Sequence, residues 1–74
     1  MTPPSTKERS MDRYLNFLKT YRQFKGIKQR KLAELLDVDP SYVSSWETGR
    51  SVPTYETRLK ICELLQEPLE KVFP

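Results

Sequence analysis

From Met11 onward, apolar side chains return at helical spacing. Met11, Tyr14, Leu15, Phe17, Leu18, Tyr21 and Phe24 form one line, and Asp12, Asn16, Lys19, Thr20 and Gln23 occupy the other side. Ser10 is the expected N-cap, and Gly26, preceded by Lys25, the left-handed end. Arg22 breaks the pattern at the edge of the apolar face, beside Leu18. A second helix is expected over Gln29–Leu36, with Leu32, Ala33, Leu35 and Leu36 apolar. Asp37 and Val38 make a tight turn. Asp39 then suits an N-cap and Pro40 the first helical position, where a missing N–H costs nothing. The third helix runs to about Thr48 and stops at Gly49. After the loop "SVP", Pro53 or Thr54 opens a fourth helix to about Gln66, and "PLEKVF" a short fifth. No segment alternates with period two, so the chain reads as all-α, without repeats. Residues 1–10, with two prolines and no apolar pattern, read as a flexible N-terminal tail before a domain at 11–74.

The third helix carries an unusual face. At about 100° per residue, Ser41, Ser44, Ser45 and Thr48 fall on one stripe, Val43, Trp46 and Glu47 lie opposite, and Pro40 and Tyr42 flank it. Four small hydroxyl residues could simply be a solvated surface. Exposed helix positions, however, favour Lys, Glu, Gln and Arg for their propensity, and this stripe has none of them. A face of small hydrogen-bonding groups permits close approach to a large rigid object, and the major groove of DNA admits such a helix. A short helix and a tight turn before it make the arrangement of a helix-turn-helix, whose second helix enters the groove.

Charge adds to this picture. The net charge over 74 residues is only +3, but residues 1–31 hold nine Lys or Arg against two acids, and residues 32–74 hold four against eight. One basic and one acidic half suggest a polyanion on one side and something else on the other. A chain of this length is near the lower limit for a self-supporting core, so well-packed helices and self-association are expected. Cys62 stands alone and histidine is absent, so neither a disulfide nor a zinc site is expected, and no cofactor. The lone thiol and the lack of any apolar run of about eighteen residues point to a cytoplasmic chain without a membrane span. Without His, a phosphate-cradling Gly loop or converging carboxylates, the chain does not read as an enzyme. No aromatic-rich stacking surface suggests RNA.

In register along the chain stand Arg22, Gly26, Gln29, "LAELL", Val38, "DPSYVSSWETGR", Pro53 and "LEKVF". Together they resemble the lambda-repressor-like or Cro-type helix-turn-helix family, also called the xenobiotic response element family, over roughly Phe17 to Phe73. The resemblance implies a compact five-helix DNA-binding domain with the helix-turn-helix at helices two and three. It implies that Gln29 touches the DNA backbone and braces the recognition helix, and that Arg22 and Glu47 form a structural ion pair. Lys28 stands where the family often has a Thr or Ser cap, which weakens the cap and adds charge toward phosphate. Backbone contacts are then expected from Lys28, Gln29, Arg30, Arg50 and Ser51. Base reading falls to Pro40, Ser41, Tyr42, Ser44, Ser45 and Thr48. Serines in place of Arg or Gln predict modest specificity per half-site, because a hydroxyl pairs with many partners.

The expected core takes Leu18, Tyr21 and Ile27; Leu32, Ala33, Leu36 and Val38; Val43 and Trp46; then Tyr55, Leu59, Cys62, Leu65, Leu69 and Val72. Ile61 and Leu64 would then reach round to the far side of the fourth helix. Either the fifth helix or a second subunit would then cover them; because the fifth helix is so short, a homodimer interface is the favoured expectation, with Phe73 a candidate participant. The leading expectation is a sequence-specific regulator of transcription, of repressor type, acting as a homodimer on double-stranded DNA. The alternative is a protein-interaction module of the same fold, bridging or antagonising another regulator through its acidic C-terminal half.

Overall fold

In the computed structural model, which describes residues 15–74, the chain turns through five helices: α1 (Leu18–Phe24), α2 (Gln29–Leu36), α3 (Pro40–Thr48), α4 (Tyr55–Leu65) and α5 (Leu69–Val72). No strand occurs among the described residues, as the pattern predicts. The expected tail, the Ser10 cap, and Met11 and Tyr14 of the apolar line lie outside the described residues.

The first four helices stop by one device. Just past each, a residue takes left-handed dihedrals: Gly26 at φ 75°, Asp37 at 60°, Gly49 at 80° and Gln66 at 58°. The following amide donates to a carbonyl five residues back: Ile27 to Arg22, Val38 to Ala33 and Arg50 to Ser45 at 3.0 Å, and Glu67 to Cys62 at 3.1 Å. The glycines reach these dihedrals without steric cost, whereas Asp37 and Gln66 do so with a Cβ in place. Two starts are capped by side chains. Asp39 accepts from the Ser41 amide at 2.9 Å, and Thr54 accepts from the Thr57 amide at 3.2 Å. Lys28, at the N-cap of α2, makes no such bond.

The first helix is shorter than its apolar pattern predicts. Leu15, Asn16 and Phe17 are not helical. Asn16 Oδ1 accepts from the Leu18 amide at 2.9 Å, and its Nδ2 donates to the Trp46 carbonyl at 2.9 Å. The Phe17 amide donates to the Val72 carbonyl at 2.9 Å. Backbone and side-chain groups that would extend a helix are spent on α3 and α5 instead. The apolar line is correspondingly incomplete: among its described residues Leu15, Phe17 and Phe24 are exposed and Leu18 alone is fully buried.

α2 packs mainly on α3, α1 also touches α3, α2 touches α4, and α5 folds back on α4. The core gathers Leu18, Leu32, Ala33, Val43, Trp46, Ile61, Cys62, Leu65, Val72 and Phe73, with Tyr21, Ile27, Leu36, Val38 and Leu69 packed around them. α4 buries Cys62 and Leu65 as expected, but the rest of its expected core face is turned away. Tyr55 and Leu59 are exposed, while Ile61 is wholly buried. Phe73, expected at a dimer interface, is likewise buried in the chain's own core. The reason is α5: short as it is, it carries Val72 and Phe73 back onto α4 and covers that side. Of the three residues assigned to the dimer surface, only Leu64 stays open, at 37% exposure. No helix among the described residues is long and apolar enough to cross a membrane.

Candidate nucleic-acid interface

Between α2 and α3 the chain reverses through Asp37, Val38 and Asp39. The Asp37 amide donates to Glu34 O at 3.1 Å, which tightens the turn. The Asp39 carboxylate accepts from the backbone and the hydroxyl of Ser41, and these bonds hold its pKa below the usual carboxylate value. It thus stays ionised at the positive end of the helix. Pro40 follows as the first helical residue.

The inner side of α3 is fixed in three ways. Val43 and Trp46 are buried in the core. Asn16 holds the Trp46 carbonyl from outside the helix. Most of the remaining hold passes through Glu47, whose side chain is 3% exposed. Arg22 Nε donates to Glu47 Oε2, and Arg22 Nη2 lies 3.4 Å from Oε1. Arg22 Nη1 donates to the Ile27 carbonyl at 2.7 Å, and Gln29 Nε2 donates to Glu47 Oε1 at 2.7 Å. One carboxylate therefore joins α1, α2 and α3. Such a fully engaged buried pair satisfies the charges that burial would otherwise leave costly.

The outer side is open. Ser41, Ser44, Ser45, Thr48 and Arg50 line a shallow recess of about 370 Å³. Lys28, Gln29 and Arg30 border an adjoining hollow with Pro40, so that the first turns of α2 and α3 meet there. The first amides of a helix have no partner within it and attract anions. Lys28 and Arg30 are exposed beside them, and Arg50 is exposed at the opposite end of α3, just past Gly49. Tyr42 is also exposed, its ring tilted 41° against Trp46 with centroids 6.4 Å apart. The fold thus brings Ser41, Ser44, Ser45 and Thr48, of the residues expected to read bases, into one recess together with Arg50, while Pro40 lines the hollow with Lys28, Gln29 and Arg30 and Tyr42 lines neither.

Three contacts were not visible in the sequence. Thr48 Oγ1 donates to the Ser45 carbonyl at 3.1 Å. Ser45 and Ser51, assigned above to bases and backbone respectively, have hydroxyls joined at 2.9 Å. Asn16 reaches Trp46 across thirty positions. The last had no signal either, because Asn16 falls on the polar side of the line that starts at Met11. No group of His, Cys, Asp and Glu among the described residues is placed to hold a metal ion.

A short helix, a turn and a second helix with an open polar face, anchored from behind, define a helix-turn-helix domain. The family described as Helix-turn-helix matches residues 18–72, and the chain belongs to this lambda-repressor- and Cro-like family. Two solved structures are similar. A candidate DNA-binding protein from Bacteroides fragilis is 28% identical, with a TM-score of 0.75 over 78% of this chain and 94% of that one. The clp gene regulator ClgR from C. glutamicum is 34% identical, with a TM-score of 0.65 over 72% of this chain and 69% of that one. Comparison with curated proteins finds no match.

Proposed function

We propose that the chain is a sequence-specific regulator of transcription, of repressor type, that inserts Pro40–Thr48 into the major groove of double-stranded DNA as a homodimer. The observation that carries this reading is the division of α3 into two sides. Its inner side is committed to the core and to Glu47, and its outer side opens as a polar recess beside Lys28, Gln29 and Arg30. That layout suits base edges at the centre and phosphates at the margin. Repression requires no more than occupancy of a site that polymerase also needs.

Leu64 is the residue of the expected dimer surface that remains available. A second reading, a module that binds another regulator, draws support from the exposed Tyr55 and Leu59 on α4 in the acidic half.

Selection of bound duplexes from a random library at physiological salt tests both. A two-fold symmetric motif with half-sites about one helical turn apart supports the operator-binding dimer. Reduction to a single half-site by Leu64→Glu would place the dimer contact on α4. No enriched motif, with binding that vanishes as salt rises, would replace this reading with the protein-binding one.

A further inference from the structure

We propose that Ser51 sets the hydrogen-bonding polarity of Ser45, so that Ser45 meets the major groove as an acceptor and selects base pairs that turn an amino group, of cytosine or adenine, toward it. The inference rests on the DNA-binding reading above.

The two Oγ atoms lie 2.9 Å apart, close enough for either to donate. A hydroxyl has one proton and two lone pairs. One proton is therefore used within the pair, and one remains to be offered outward. What each hydroxyl faces decides which residue keeps it.

Ser51 lies just beyond α3, next to the exposed Arg50. The amides of Arg50 and Ser51 approach the Ser45 carbonyl at 3.0 and 3.5 Å, so this short loop is folded against the helix end. A phosphate drawn to Arg50 presents only acceptor oxygens. Where that phosphate also meets Ser51, the Ser51 hydroxyl donates a hydrogen bond to it and accepts one from the Ser45 hydroxyl.

A serine inside a helix has the carbonyl four residues back as an ordinary acceptor. Ser45 is turned to Ser51 instead, and it lies half-buried in the recess with Ser41 and Ser44. With its proton spent, it has only lone pairs to present to a base. In the major groove the amino groups of cytosine and adenine donate, whereas guanine N7 and O6 and thymine O4 accept. Inverting the base pair would bring acceptor against acceptor. Arg50 and Ser51 would then do more than grip the backbone, because phosphate binding fixes how a neighbouring residue reads sequence.

A simpler role for the serine pair is to staple the end of α3. That role predicts that loss of Ser51 lowers thermal stability and weakens binding to every sequence equally.

The experiment starts from the operator obtained by selection and from the position whose preference Ser45→Ala flattens. Binding is measured with duplexes lacking the amino group there (purine for adenine, 2-pyrimidinone for cytosine) and with duplexes lacking N7 of the purine at that pair. For the wild-type chain, amino deletion should weaken binding about fivefold to tenfold, the range of one net hydrogen bond, and N7 deletion should not. Inverting the pair should cost a similar factor. In Ser51→Ala the freed proton of Ser45 can meet an acceptor, so the inversion penalty should fall to about twofold, and Ser51→Thr should restore it.

Sensitivity to N7 rather than the amino group overturns the proposal. So does an inversion penalty unchanged in Ser51→Ala, or no position flattened by Ser45→Ala. The analogue measurements use the wild-type chain, so they decide the matter even where a Ser51 variant folds poorly. Absence of any operator defeats the DNA-binding reading itself, a separate result from an operator at which these substitutions behave otherwise.

Discussion

Glu47 accepts from Arg22 and from Gln29, and Arg22 in turn reaches the Ile27 carbonyl. Both members of the ion pair are nearly excluded from water, with side chains 8% and 3% exposed. Removing one leaves the other buried and unpaired, so Arg22→Ala should cost about 3–5 kcal/mol in denaturant unfolding. Replacing both residues by apolar side chains of similar size should cost much less, because no charge is then stranded. A second residue-scale effect concerns Cys62. Burial, and then the negative charge of Glu70, push its thiol pKa up. Its contribution to stability is complete below the ordinary thiol pKa of the unfolded chain and is lost as pH rises through the higher folded one. Unfolding measured up the alkaline range should show this loss, and Cys62→Ala should remove its share. A thiol reagent at neutral pH should leave the folded chain unmodified until denaturant is added.

Among the elements, the ends of the helices are where strain and relief can be compared within one chain. Gly49 and Gln66 serve the same left-handed role, one without a Cβ and one with it. Gln66→Gly should therefore stabilise the fold by about 1 kcal/mol and Gly49→Ala should destabilise it by about 1–2 kcal/mol, both read from thermal unfolding. The glycine ends and the cap at Asp39 could be read from sequence because each depends on a few adjacent residues, whereas nothing local marked Asp37 and Gln66 as left-handed ends. The start of α1 could not be read either. It is decided by Asn16 bonding a carbonyl thirty positions away and by Phe17 bonding Val72. Nor could the rotation of α4. Tyr55, Leu59, Ile61, Cys62, Leu64 and Leu65 spread apolar surface around much of its circumference, and only the return of Val72 and Phe73 selects the buried side.

For the molecule as a whole, binding to DNA should divide by location. Neutralising Lys28, Arg30 or Arg50 should weaken binding to all duplexes and make the salt dependence shallower by about one unit each. Ser41→Ala should instead shift the preferred sequence at little cost to that slope. The outward stripe of α3 was legible because helical spacing puts four small hydroxyl residues on one side, and the short helix and tight turn before it gave that stripe its meaning. The pairing of Ser45 with Ser51 was hidden, since it depends on how the loop after Gly49 folds back. The anchoring of α3 from behind has one more consequence. Val43, Trp46 and Glu47 secure the helix from the core side without help from Ser44, whereas the Ser41 hydroxyl also bonds the Asp39 cap. Under the proposed DNA-binding reading, Ser44 should therefore accept Arg, Gln or Asn with the scaffold intact and a new sequence preference, whereas the same change at Ser41 should also lose its bond to the Asp39 cap.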